Sequence, residues 1–202
     1  YHLALAHLQN NDRPKAAASL TQAIALEPNF VEAILLLAEL NLRKGDASPV
    51  VAAMSQLIKQ HPRMAQAQLL LAAAHLARKD LDSAAEVYRQ LMAIFPKEPQ
   101  TPFLLGTVLA RQNKLADARR AFDTALELAP DSLLTLEQIL DLDLLEQRYQ
   151  AASERVQKQM EKQPKTAELW LLQAKIHLAR RDSSQAEAAL LKAIELNPNL
   201  RA

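Results

Sequence analysis

The chain has 202 residues, of which 50% are hydrophobic, 23% are charged and only 4% are aromatic. This composition predicts a folded protein rich in helix rather than a disordered segment. The 24 Lys and Arg residues nearly balance the 23 Asp and Glu residues, which argues against a nucleic acid as the main partner. The absence of Cys excludes disulfides, thiolate metal sites and cysteine nucleophiles.

The two ends of the sequence predict a piece of a longer protein. Residue 1 is Tyr, and no basic start followed by an apolar stretch marks a signal peptide. No apolar run reaches the roughly 18–20 residues that a membrane-spanning helix needs. We therefore expect no direct membrane insertion by this segment.

Prolines reveal an internal repeat. Twelve positions before each recurring proline stands a small residue, and four positions after that small residue comes a larger one. Residues four positions apart lie on one face of a helix. This spacing predicts a helix that ends just before each proline. The prolines recur every 34 residues, at Pro28, Pro62, Pro96, Pro130, Pro164 and Pro198.

A second apolar stretch precedes that helix in every unit, so each unit is predicted to be a helix, a tight turn and a second helix. Gly and Asn in the turns favour the left-handed conformation that ends a helix. Asp12, Asp46, Asp80 and Asp182 are expected to cap the helices that follow. The predicted turns are Asn11-Asp12, Gly45-Asp46, Lys79-Asp80, Asn113-Lys114, Gln147-Arg148 and Arg181-Asp182.

The unit is 34 residues long, with small residues at the eighth, twentieth and twenty-seventh positions and proline at the thirty-second, and Trp170 stands at a fourth position. In these features it resembles the tetratricopeptide repeat. The resemblance implies an all-α fold, a right-handed superhelical solenoid of stacked antiparallel helix pairs like those of bacterial multi-repeat proteins. It implies a single solenoid domain over residues 1–202. Its six units are 1–30 (partial), 31–64, 65–98, 99–132, 133–166 and 167–200.

Residues suited to enzyme chemistry do not form a catalytic pattern. His7, His75 and His177 share the eleventh position of their units, which favours a packing role, and two glycines cannot build a phosphate-binding loop. We predict no catalytic residue, no metal and no cofactor. The carboxylates near 137–146 are interpreted as solvated or partner-facing charge, and the pairs Arg119-Arg120 and Arg180-Arg181 as solvated helix surface rather than an RNA-binding patch.

The resemblance also indicates where a partner would bind. In this family the concave face is lined chiefly by the second, fifth, ninth and twelfth positions of each first helix. The fifth and ninth positions hold Leu35 and Glu39, Leu69 and Ala73, Phe103 and Thr107, Glu137 and Asp141, and Leu171 and Lys175. An apolar floor at Leu69 and Phe103, flanked by Glu39, Glu137 and Asp141, predicts a protein or peptide partner with apolar anchors and basic residues.

Three functions remain open at this point. The first is a non-enzymatic scaffold for protein–protein interaction, and the second is a structural segment that self-associates through the exposed ends of the array. The third is an arm of a larger envelope-associated or transferase protein, in the bacterial cytoplasm or cell envelope. The fifth unit departs most from the pattern at Leu140, Asp143 and Gln159. This departure indicates either drift in a tolerant repeat or a local change of curvature at a recognition site.

Overall fold

The computed structural model describes residues 1–199, which form twelve α-helices and no β-strand. The all-α prediction is therefore confirmed, while the last residue of the sixth unit and residues 201–202 lie outside the described part. The helices are α1 (His2–Gln9), α2 (Arg13–Leu26), α3 (Val31–Lys44), α4 (Ser48–Gln60), α5 (Ala65–Ala77), α6 (Leu81–Ile94), α7 (Gln100–Arg111), α8 (Leu115–Leu128), α9 (Leu133–Leu145), α10 (Tyr149–Lys162), α11 (Ala167–Ala179) and α12 (Ser183–Leu196).

One type of turn joins the two helices of every pair. Its first residue has a positive φ in all six pairs, with Gly45 at 89° and Asn113 at 60° as examples. The amide of the next residue donates a hydrogen bond to the carbonyl oxygen at the eleventh position, as from Asp80 N to His75 O at 2.9 Å. This is the left-handed helix ending that the Gly and Asn residues predicted.

Three of the four predicted aspartate caps are present. The side chains of Asp12, Asp80 and Asp182 accept hydrogen bonds from the backbone amides three residues later. The prediction for Asp46 is wrong, because α4 begins at Ser48 after Ala47 and makes no side-chain cap bond. The residue three positions after Asp46 is Pro49, which has no amide hydrogen to donate.

The chain forms two compact units, Tyr1–Pro96 with α1–α6 and a second unit that begins at Lys97 and contains α7–α12. Within each unit, consecutive helices pack on one another and the apolar clusters lie between successive pairs. One cluster of the first unit contains Leu35, Met54 and Leu57, and a cluster of the second contains Leu140 and Val156. This arrangement buries apolar faces that a single helix pair would leave exposed. A single domain over residues 1–202 stays a prediction.

The fourth and fifth pairs fill their interiors differently. In α7, a Cβ atom on Gly106 would lie 2.6 Å from the ring of Phe122 in α8, so only glycine allows this approach. In α9 the corresponding residue is Leu140, and the residue of α10 that corresponds to Phe122 is the smaller Val156; both belong to one apolar cluster. The two helices of the fourth pair consequently pack more closely than those of the fifth.

Candidate partner-binding surface

The ten candidate residues all lie on the first helices of their pairs. Four are on α3 and α5 in the first unit, and six are on α7, α9 and α11 in the second. Since the fifth and ninth positions are one helical turn apart, the two candidates on each helix share a face.

In the first unit, the candidates are only partly available to a partner. Leu35 is 8% exposed and belongs to an apolar cluster, whereas Leu69 and Ala73 are half-buried. Glu39 Oε1 accepts a hydrogen bond of 3.2 Å from Gln66 Nε2. This surface therefore presents apolar side chains and one carboxylate that is already bonded to a neutral amide.

In the second unit, Phe103 is the aromatic candidate. Its ring is half-buried and packs against the buried ring of Phe122, with the ring centroids 5.7 Å apart. Thr107 Oγ1 donates a hydrogen bond of 3.0 Å to Phe103 O, so this hydroxyl is used within α7. The core side of the ring is thus fixed, while its other side retains exposed surface.

The structure brings Glu137, Asp141 and Lys175 together across α9 and α11. Lys175 Nζ lies 2.5 Å from Asp141 Oδ1 and 3.4 Å from Glu137 Oε1, and all three side chains are between 41% and 45% exposed. Partial burial lowers the pKa of Lys175, but the hydrogen bond and charge of Asp141, together with Glu137, raise this pKa above its ordinary value overall. Two carboxylates and one ammonium give the group a formal charge of −1. Leu171 is half-buried on the same helix as Lys175.

A buried ionic network lies at the junction of the fourth and fifth pairs. Asp143 in α9 is 0% exposed, and its Oδ1 pairs with Arg119 Nη1 of α8. The other amino group of Arg119 lies 2.5 Å from Glu146 Oε2, and Arg155 Nε of α10 lies 3.5 Å from Asp143 Oδ2. Arg155 Nη1 is also 2.9 Å from Asp123 Oδ1 in α8. The network therefore connects three helices.

Asp143 is not the solvated or partner-facing charge that the sequence predicted, and Arg119 is not solvated helix surface, because the two side chains are buried against each other. The sequence contained one signal for this pair. Asp143 occupies the eleventh position, where other units have His, Asn or Leu, none of which is exposed in the structure. A carboxylate at a position that faces the interior requires a cationic partner.

Among the described residues, no group of three or more His, Cys, Asp or Glu side chains could hold a metal ion. No helix within residues 1–199 combines the length and apolar character that crossing a bilayer requires.

Family comparisons agree with this arrangement of helix pairs. Four family models, each described as a tetratricopeptide repeat, match residues 7–74, 51–99, 103–132 and 167–200. The chain belongs to the tetratricopeptide repeat family, and its fold is an all-α solenoid of that family. The third and fourth matches flank residues 133–166, the unit that contains Leu140 and Asp143.

Solved structures of other tetratricopeptide proteins are similar in fold. The MamA fragment that starts at residue 41, from Desulfovibrio magneticus RS-1, is 20% identical with a TM-score of 0.68, and the match covers 79% of this chain and 90% of that one. A tetratricopeptide repeat protein from Parabacteroides merdae ATCC 43184 is 16% identical with a TM-score of 0.70, covering 98% and 92%. YrrB, described as a protein with an unusual peptide-binding site, is 17% identical with a TM-score of 0.62, covering 91% and 94%. None of the curated proteins compared with the chain matches it.

Proposed function

We propose that the chain is a non-enzymatic scaffold that binds a peptide or helical segment of a partner protein along the face formed by its first helices. Tetratricopeptide arrays generally serve as interaction scaffolds, because stacked helix pairs create extended binding surfaces. The peptide-binding site described for YrrB belongs to that protein. For this chain it supports a peptide as the class of partner to test first.

The observation that carries the proposal is the surface of the second unit. Phe103 keeps part of its ring exposed while its inner side is fixed by Phe122. Glu137 and Asp141 carry two negative charges against the single positive charge of Lys175. A fixed aromatic residue and a negatively charged group suit a segment with an apolar anchor and a basic residue.

A capture experiment with matched variants tests this proposal. The native chain and the double variant Phe103→Ala, Glu137→Lys are each used to capture proteins from an extract of the source organism. The control variant, Leu26→Ala, Glu154→Lys, makes the same two changes at exposed residues outside the candidate set. We expect a protein that the native chain and the control capture and the test variant does not, with equal helical circular dichroism. Identical captures by all three would contradict the proposal.

Self-association is a second candidate function, favoured by one specific observation. The last described helix pair exposes Leu178, Leu191 and Ile194, which are 56%, 61% and 48% exposed. An apolar surface of this kind is costly unless it is covered. Sedimentation velocity would then show a mass that rises with concentration. Leu191→Glu should abolish this rise and Leu26→Glu should not, whereas a constant monomer mass would exclude this candidate.

A further inference from the structure

A cleft of about 250 Å³ opens in the first unit, where the end of α2 meets α3 and α4. None of the ten candidate residues lines this cleft, so it is a second surface. Its deepest lining residues, Ala38, Val50 and Leu57, are buried members of the apolar core. The half-buried Ile34 and Ala53 form part of its walls. The cleft therefore leads from solvent to an apolar floor.

Side-chain amides surround the mouth of this cleft. Asn29, Asn41, Gln56 and Gln60 all line it, and within residues 1–199 no side-chain hydrogen bond engages any of the four. No charged side chain of the described residues lines the cleft. Each amide can both donate and accept hydrogen bonds, as a peptide backbone does. The lining is thus polar without charge at the rim and apolar at the floor.

We infer that this cleft binds an extended segment of a protein partner, which inserts one uncharged aliphatic or aromatic side chain. A charged group would lose hydration there and find no opposite charge. The volume lies below the roughly 300–1,000 Å³ of pockets that hold a whole drug-sized ligand, so it suits a single side chain. The amides then hydrogen-bond the backbone of the segment on either side of that residue.

Two clefts of the second unit lie at corresponding positions of their helix pairs, and both have charged side chains in their lining, among them Arg155 and Lys158 in one of the two. Ile34 and Trp170 are both fourth residues of their units, and Trp170 lines a cleft of about 540 Å³ between α10, α11 and α12. That cleft is also lined by the charged Glu161. An uncharged lining thus distinguishes the cleft of the first unit from both of these.

Three small probes test the inference on the full chain: indole, N-acetyl-L-tryptophanamide and N-acetyl-L-lysinamide. Their binding is followed by NMR of the methyl groups of Ile34, Leu37 and Ala53. We expect saturable shifts at these methyls with both indole compounds. The tryptophanamide should bind more tightly than indole because it adds two backbone amides. The lysinamide should cause no saturable shift.

Two substitutions on α4 provide the matched comparison. Ala53→Leu places extra methyl and methylene groups in the cleft and should weaken tryptophanamide binding about tenfold or more. Ala52→Leu makes the same change at the neighbouring exposed residue, outside the cleft, and should leave binding unchanged. If Ala53→Leu fails to fold, the smaller Ala53→Val is used at the same wall of the cleft, with Ala52→Val as its control.

Several results would overturn the inference. Equal affinity for indole and the tryptophanamide would show that the side-chain amides of the cleft do not bind a peptide backbone, which would exclude a peptide segment as the ligand. Binding of the lysinamide, equal binding by the two α4 variants, or shifts spread over the whole chain would each contradict a site in this cleft. Because Phe103 and Glu137 lie outside it, none of these results depends on the function proposed above.

Discussion

The fourth and fifth helix pairs, α7–α8 and α9–α10, follow one plan but fill their interiors in different ways. In the fourth pair, Gly106 allows the buried ring of Phe122 to approach the backbone of α7. In the fifth pair, the larger Leu140 replaces the glycine and the smaller Val156 replaces the phenylalanine, and the helices pack less closely. A helix pair therefore tolerates a large residue at its eighth position when the residue equivalent to Phe122 in its second helix is smaller.

The two pairs also differ at the eleventh position. The fourth has Leu109, which is 3% exposed, whereas the fifth has Asp143, which is completely buried and paired with Arg119. The junction between these pairs therefore depends on an ion pair at a place where an apolar side chain also fits. Such a pair is strongly destabilised when one partner is removed, although replacing both partners by apolar residues can be neutral.

Removing Asp143, which distinguishes the fifth pair from the fourth, should cause the largest loss of stability. Asp143→Ala leaves the guanidinium of Arg119 buried with only Glu146 as a partner, and we expect the free energy of unfolding to fall by about 3–5 kcal/mol. Urea denaturation followed by circular dichroism measures the change. The control is Asp141→Ala on the same helix, where a half-exposed carboxylate should account for no more than about 1 kcal/mol. Equal losses for the two variants would show that Asp143 behaves as a surface charge.

Truncating Leu140 should be the next largest change. Leu140→Ala restores the small eighth residue of the other units but leaves a cavity in the apolar cluster, because Val156, the counterpart of Phe122, is too small to fill it. We expect a loss of about 2–4 kcal/mol in the same denaturation experiment. Leu145→Ala, at an exposed leucine of α9, should change the free energy of unfolding by less than about 0.5 kcal/mol. A neutral Leu140→Ala would mean that the fifth pair can close up like the fourth.

Adding one methyl group at Gly106 tests whether the close packing of the fourth pair requires glycine. An exchange of Gly for Ala inside a helix normally stabilises it by about 0.5–1 kcal/mol. Gly106→Ala should instead destabilise the chain by about 1–3 kcal/mol, because its Cβ would meet the ring of Phe122 at 2.6 Å. The thermal midpoint gives the sign directly. Adding Phe122→Leu should recover part of the loss, and a stabilised Gly106→Ala variant would contradict the close approach.

Helix capping should have the smallest effect, and it lies outside the compared pairs because neither α8 nor α10 begins with a side-chain cap bond. Asp80→Ala should lower the melting temperature by roughly 2–4 °C. Asp46→Ala should lower it by less, since Asp46 caps nothing.

The contribution of Asp80 should also depend on pH. Hydrogen bonds from Ser83, together with the nearby His75, hold the pKa of Asp80 below its ordinary value of 3.8. A carboxylate with a lowered folded-state pKa stabilises the fold above the unfolded-state value and loses that effect as the pH falls through the folded-state value. The difference between the native chain and Asp80→Ala should therefore be present above pH 3.8 and be lost as the pH falls further, through the lowered folded-state pKa. A difference that persists in strong acid would exclude the cap as its cause.

Most of the fold could be predicted because the helices and turns depend on residues that are close together in the sequence. The recurring prolines, the small residues at fixed spacing and the turn dipeptides each act within one unit, and the twelve helices follow them. The failure at Asp46 was also local, since Pro49 three residues later removes the donor that a cap needs.

The ion pair could not be predicted so easily because its partners lie on different helices. Arg119 and Asp143 are 24 residues apart, and each by itself resembles an ordinary charge on a helix surface. The position of Asp143 within its unit was the only local indication. The same limit applies to Lys175, whose contact with Glu137 spans 38 residues and changes the charge of the candidate surface.

A double-mutant cycle on Arg119 and Asp143 tests most directly whether a buried ion pair joins the fourth and fifth helix pairs. The free energy of unfolding is measured for the native chain, Arg119→Met, Asp143→Leu and the double variant. We predict that each single substitution is strongly destabilising and that the double variant recovers much of the loss, with a coupling energy of about 2 kcal/mol or more. Additive single effects, with a coupling energy below about 0.5 kcal/mol, would contradict a buried ion pair between Arg119 and Asp143 that joins the two helix pairs.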